Sequence, residues 1–400
     1  MDFGFNEEQE MFRAMVRDFT EKEIAPGFAE RQNLQAIPFE QRKQEGKSYL
    51  LGYPYEQRKK AGGLGLLGMN VEEKYGGNPS SAVTTGIAVE EISGYDCNFI
   101  MASFSSNNFI GLASEEVKEE WLPRLCSGEV YINMGATEAE AGADLGNAQT
   151  KARKDGEFWI LNGEKNRVSS SMDGDALVVL AKVDPESRRL TPFLVTYDMP
   201  GVTRSMIRDI SGGYAGIVSL EDVRVPDKYL LGDAEGRGFI TAMETFDGMR
   251  ATAGLSCMKI AQMCLDETIE YSKQRFCFGR PIAWYEGVSF SIAEMATNIE
   301  LGRTFSYSIL AKQDQGLKTT KESSMIKWWA PKMAIDIAHE CLLLHGHYGY
   351  SADMPFKDRM MRMIATQIGD STPHIQKMII ARELIGREYL PYRTPPARSA

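Results

Sequence analysis

The sequence predicts a mainly α protein with a central β domain, and three observations carry that expectation. Residues 1 to about 128 consist of long polar–apolar segments with few β-branched runs, broken at "EIAPG", "PYEQ" and "KYGGNPS". Between about 129 and 233 the texture changes to β-rich segments separated by Gly, Pro, Asp and Ser clusters. From "GDAEGRGF" onward the helical texture returns. Three domains follow: an α-helical domain over 1–128, a β domain over 129–233 and an α-helical bundle over 234–400. Helices, then strands, then helices is not the βαβα alternation of a doubly wound sheet.

The β domain is expected from "ALVVLAKV" (176–183), "TPFLVTYD" (191–198) and "IVSLEDVRV" (217–225). In the last zone Met258, Ala261, Leu265 and Ile269 fall on one helical face, and Met333, Ile337, Cys341 and Leu344 form a second stripe. "RTPPARSA" reads as a frayed tail.

The 400 residues, 43% hydrophobic and 25% charged, have the composition of a soluble globular protein. A net charge of −10 with scattered basic residues argues against a nucleic-acid surface or an anionic membrane. No apolar run approaches the ~20 residues that span a bilayer. The opening "MDFGFNEEQEMFRAMVRDF" is acidic and amphipathic, unlike a signal or transit peptide, so a cytoplasmic location is expected. The six cysteines (97, 126, 257, 264, 277, 341) show no CxxC spacing and the four histidines no HExxH, which predicts buried thiols and no metal site.

"GGLGLLG" carries Gly63, Gly65 and Gly68 in dinucleotide-fingerprint spacing, with Glu90 about twenty residues on. The charged, helix-prone "EQRKKA" before it is the wrong context, since that fingerprint needs a buried strand feeding the turn. A glycine-rich turn between helices is the expectation.

"IGDSTPHIQK" (368–377) poses the sharper question. Asp370 stands just ahead of a new helix that starts near Pro373, where a carboxylate serves either as N-cap or as a catalytic base.

That stretch and three others, "GATEAEAGADL" (135–145), "LNGEKNRVSSS" (161–171) and "QRFCFGRPI" (274–282), together resemble the acyl-CoA dehydrogenase family of flavoproteins over nearly the whole chain. The resemblance implies a middle β-barrel-like domain, a C-terminal four-helix bundle, an FAD cofactor and dehydrogenation of an acyl-CoA thioester. It also implies an electron-transferring flavoprotein as electron acceptor and a homotetramer. For FAD it implies Met134, Ala136 and Thr137 along the flavin ring, Val168 and Ser169 near its N5, and Arg275 on the pyrophosphate with Phe278 packed on the dinucleotide. Glu286, Leu343, Gly346, Thr372 and His374 complete the implied cofactor set. For substrate it implies Ala143, Phe246, Asp247, Arg250 and Gly369, the "TFDGMR" residues holding coenzyme A. Asp370 stands where the family has a glutamate base, and Gly369 where many relatives have a bulky aromatic, which goes with branched, cyclic or arylalkyl acyl groups. Glu91, beside Glu90 on a helix whose counterpart closes the acyl pocket, is the alternative base; the competing reading is a pair of solvated or salt-bridged glutamates.

Several family positions are changed: Ala139 replaces a proline, Arg167 stands where an aromatic is common, and Glu286 and Leu343 replace glutamines. The segment between Pro26 and Leu64 is longer than typical. A flavin oxidase, an enoyl-CoA reductase and a flavoprotein without turnover are the alternatives on the same fold.

Overall fold

A computed structural model describes residues 4–28, 55–95, 98–210, 214–232 and 238–389. "RTPPARSA", Cys97, most of "GDAEGRGF" and much of the long segment after Pro26 lie outside these residues. The chain divides into two compact units, one of residues 1–81 with 95–245 and one of residues 82–94 with 246–400.

In the first unit, α1 (Glu7–Phe19) opens on a capping box, in which Gln9 N donates to Asn6 Oδ1 at 2.8 Å and Asn6 N to Gln9 Oε1 at 3.1 Å. Among the described residues, α2 (Tyr55–Gly63) feeds directly into the glycine-rich turn. The fingerprint there is thus preceded by a helix and not a strand, as its charged lead-in foretells. The first unit resumes with α4 (Asn98–Ile110) and α5 (Glu115–Cys126), after α3 (Ala82–Ser93), which groups with the C-terminal helices.

Seven strands follow. β1 (Ile132–Gly135), β4 (Ala176–Ala181) and β5 (Thr191–Thr196) form one sheet in the order β1-β4-β5, with β1 parallel to β4. β2 (Lys151–Asp155), β3 (Phe158–Ser169), β6 (Val202–Arg208) and β7 (Tyr214–Pro226) form an antiparallel sheet in the order β2-β3-β7-β6. All six residues of β4 are buried, which explains why "ALVVLA" reads as an unbroken apolar run. Both sheets contribute to one core that includes Trp159, Leu161, Val179, Phe193, Val218 and Val225. β1, β2 and β6 escape the sequence reading: β1 is short, while β2 and β6 are polar and only partly buried, so their apolar signal is weak.

Lys165, on β3, points into this unit with no exposure, and its Nζ donates to Glu138 Oε1 at 2.5 Å. Glu138 also accepts from Gln149 N at 2.5 Å, Thr150 N at 3.1 Å and Thr150 Oγ1 at 2.6 Å. Burial alone would raise the Glu138 carboxyl, but the Lys165 charge and these donors hold it below its usual range.

The second unit holds α3 with α6 (Gly238–Gln274, from Phe246), α7 (Glu286–Asp314), α8 (Thr320–Leu344), α9 (Phe356–Ile368) and α10 (Pro373–Ile385). Both apolar stripes fall where expected: Met258, Ala261 and Leu265 of α6 and Ile337 and Cys341 of α8 are buried in its core. A Cβ on Gly254 would stand 2.6 Å from Ile326 and 2.7 Å from Ser306, so glycine there lets three helices close up.

Removing one partner of a buried ion pair strands the other charge. Lys165→Met is therefore expected to destabilise the protein by about 3 kcal/mol. Denaturant unfolding checks this, and a loss under about 1 kcal/mol would contradict it.

Candidate active site

Helix α9 ends at Ile368, and Gly369 N still donates to Ala365 O at 2.8 Å. The next two residues are left-handed, Asp370 at φ 56° and Ser371 at φ 82°, before Thr372 turns extended and α10 starts with Pro373 at its first position. The N-cap residue is thus Thr372, not Asp370. A left-handed residue costs roughly 1–2 kcal/mol outside glycine, less for aspartate, so two in a row need support. Gln376, fully buried on α10, supplies some of it: Nε2 donates to Ser371 Oγ at 2.6 Å and to Asp370 O at 3.4 Å.

The Asp370 carboxylate faces Arg250, on α6, with Oδ2 3.6 Å from Nε. That separation is beyond a hydrogen bond, and both Asp370 Oδ1 and Arg250 Nε are buried without a hydrogen-bond partner. Arg250 is 4% exposed, and its Nη1 donates to Asp247, which also accepts from Thr320 Oγ1 at 2.8 Å. "TFDGMR" thus places its arginine between two carboxylates of its own unit. Burial lifts the Asp370 carboxyl to about 6; Arg250 and Lys327 pull the other way, and Asp247 adds to the rise. A half-buried carboxylate of raised basicity with a buried, empty acceptor oxygen is suited to taking a proton.

Glu90 and Glu91, on α3, are buried and ion-paired. Glu90 accepts from Arg303 Nε and from Tyr307 Oη, each at 2.6 Å, and Glu91 from Lys259 Nζ at 3.2 Å. They are salt-bridged and not solvated.

The other expected residues are spread over both units. In the first, Met134 lies on β1 and Ala136 and Thr137 follow it, half-buried; Asn166 N donates to Thr137 O at 2.8 Å. Val168 is buried and Ser169 exposed at the end of β3, where Asn133 Nδ2 donates to Ser169 O at 2.7 Å. A bulge between Lys165 and Val168 puts Arg167 at φ 57° and turns it outward. Ala143 is exposed.

In the second unit, Arg275 precedes a hairpin of β8 (Phe276–Cys277) and β9 (Arg280–Pro281). Its two-residue loop, Phe278 at φ 51° and Gly279 at φ 83°, has the signs of a type I′ turn, which favours Asn-Gly. Phenylalanine there is costly, and Phe278 is 91% exposed, so the turn presents a bulky ring outward. Arg275, Glu286, Leu343, Gly346 and His374 are also exposed, while Phe246 and Thr372 are half-buried. Sequence reasoning missed Lys327 and Gln376, which read as core-facing polar residues of ordinary helices. It quoted Glu138 and Lys165 within motifs without seeing that they pair.

The decisive comparison is with family models. Those for the acyl-CoA dehydrogenase N-terminal, middle and C-terminal domains match residues 6–129, 133–223 and 236–385. The chain belongs to the acyl-CoA dehydrogenase family. It is 32% identical over 397 residues to a probable acyl-CoA dehydrogenase of Bacillus subtilis (strain 168), covering 96% of this chain and 100% of that one. It is also 32% identical over 393 residues to a 3-(aryl)acrylate reductase of Clostridium sporogenes, covering 95% and 99%. Butyryl-CoA dehydrogenase from Megasphaera elsdenii shares the fold at a TM-score of 0.86 and 30% identity, covering 96% and 100%. Acyl-CoA dehydrogenases are FAD-dependent oxidoreductases acting on CH–CH groups. The residues present fit that cofactor's chemistry: Ser169 offers an exposed hydroxyl, Arg275 an exposed guanidinium and Phe278 an exposed ring.

Between about pH 4 and pH 6 the native state keeps the Asp370 proton that the unfolded chain has released. Stability therefore falls as pH rises through that window and is level above it. Asp370→Asn is expected to be more stable than the wild type at pH 8, by at most about 3 kcal/mol, with no gain below about pH 4. Denaturant unfolding at the two pH values reads the difference.

Proposed function

We propose that this chain dehydrogenates an acyl-CoA thioester, with Asp370 removing the proton from the carbon beside the thioester carbonyl. The observation that carries the reading is the buried, partnerless Oδ1 of Asp370, held in a strained turn next to Arg250. Such a proton is only weakly acidic, so its removal needs a carboxylate of raised basicity fixed in place. FAD, when bound, supplies the acceptor for the hydride that leaves the adjacent carbon. Thr137 and Ser169 would hold its ring, with Met134, Ala136 and Val168 beside it; Arg275 and Phe278 would hold its pyrophosphate and dinucleotide. The Arg250 guanidinium orients the carboxylate without a hydrogen bond that would quench it. Glu91 is the weaker candidate, because Lys259 already occupies it.

The substrate is branched, cyclic or arylalkyl. Gly369 has an ordinary φ of −56°, and a Cβ there would meet only Ala365 O, at 3.3 Å, so the backbone does not require glycine. What its absent side chain leaves is room beside the base. Exposed Phe278, Trp284, Phe290, Leu301 and Tyr350 support a homotetramer. An electron-transferring flavoprotein serves as acceptor. A second reading, reduction of an enoyl thioester by the same residues run backwards, is favoured by the similarity to the arylacrylate reductase.

Anaerobic titration of the yellow protein with straight, branched and aryl acyl-CoAs tests the proposal. Bleaching is expected with the wider acyl groups; bleaching only with straight chains would sink the substrate assignment. Asp370→Asn should retain flavin and lose at least about a thousandfold in rate, within the reach of a general base. The kcat/KM of the wild type should rise with pH through an acid limb near 6, since only the ionised base works. Gly369→Tyr should shift the preference toward straight chains by about tenfold or more, the scale of a filled pocket.

A further inference from the structure

We infer that Lys327 is a positioning residue for this site: it ties down the backbone that presents Asp370 and sets a positive charge beside that turn. The inference rests on the reading of Asp370 as the base.

Lys327, on α8, is 2% exposed. Its Nζ donates to Thr366 O at 2.7 Å and to Gly369 O at 2.8 Å. The first is a carbonyl of the last turn of α9, which lacks an intrahelical partner, and the second belongs to the peptide that enters Asp370. A cation at a helix C-terminus is favourable, and one that grips two carbonyls three residues apart fixes where the left-handed pair begins. Gln376 grips the far side of the same turn through Ser371 Oγ and Asp370 O. The Asp370 side chain is thereby set by two buried residues on different helices.

Burying an ammonium is costly, and a neutral donor would serve the carbonyls alone. Among the described residues no carboxylate forms an ion pair with Lys327, yet its charge and that of Asp370 act on each other. The groups that face Asp370 are Arg250 and Asp247 from α6, Lys327 from α8 and the neutral Gln376 from α10. Arg362 of α9 is turned away, donating to Ser93 O and Gly94 O. Burial pulls the Lys327 ammonium below its usual range, and the Asp370 charge pulls the other way. Arg250 is already committed to Asp247, so Lys327 is the second positive charge in a site with two carboxylates. Because it spends its hydrogen bonds on carbonyls, it favours the carboxylate through its field and leaves the acceptor oxygen free.

Three variants separate charge from grip. Lys327→Gln keeps N–H donors and removes the charge. Its acid limb of kcat/KM should move up, giving about a tenfold loss at about pH 6 and less than about threefold at about pH 8.5. Lys327→Arg keeps the charge and should leave the limb in place, which also serves if the glutamine variant fails to fold. Gln376→Leu loosens the turn alone and should lower kcat about tenfold at every pH, with no movement of the limb. An unmoved limb in Lys327→Gln, or a moved one in Lys327→Arg, overturns the proposal. Asp370→Asn with undiminished turnover would instead remove the base on which it stands.

Discussion

The site depends on one imbalance: the half-buried Asp370 carboxylate has one buried oxygen without a partner, and burial raises its carboxyl further than its neighbours lower it. Every other buried carboxylate of the described active-site region and of the β domain is closely met. Glu138 has four donors around it, Glu90 has Arg303 and Tyr307, and Glu91 has Lys259. Glu267, only partly buried, takes a bidentate grip from Arg359, at 2.7 and 2.8 Å. Those pairs hold elements together. Asp370 has cations nearby but none within hydrogen-bond distance, and burial wins.

The same contrast explains what the sequence made legible. Apolar periodicity revealed α6 and α8, because their stripes at Met258–Ile269 and Met333–Leu344 are long and regular. It also found β4 and β5, whose residues are almost all buried. Strand β2 is charged at four of its five positions and β6 at two of seven, with little of either buried, and they left no such trace. Motif resemblance brought out Asp370, yet whether it capped α10 was not decidable from residue types, since Asp and Thr are both good N-caps. Only the left-handed φ of Asp370 and the extended Thr372 separate the two roles. Lys327 was invisible for a related reason: its partners are carbonyls, which every residue has, so no side-chain pattern announces them.

The positions that the resemblance marks as changed lie at the surface. Arg167, Glu286 and Leu343 are all exposed, whereas Lys165, Glu138 and Val168 are buried. Substitution at an exposed position alters what is offered to a ligand without disturbing the fold, so the scaffold tolerates these changes. An acid at 286 and an apolar side chain at 343 each withdraw hydrogen-bond donors that an amide would offer there.

Aspartate is one methylene shorter than glutamate, and its acceptor oxygens sit about 1.5 Å nearer the backbone. A longer acid can reach its substrate from several backbone positions by rotating three side-chain bonds. Aspartate has two, so less rotamer freedom is lost when it is fixed, but the backbone must do the aiming. That is consistent with the two left-handed residues, the strain they carry, and the grips from Lys327 and Gln376 on either side of them. A base that cannot reach outward requires the reacting carbon to approach it, and a side chain at position 369 would stand beside that approach. On the proposed function, the glycine at 369 and the aspartate at 370 would be one adaptation: the shorter acid would fix where the acyl chain must come, and the missing side chain would give a wide acyl group the space to come there.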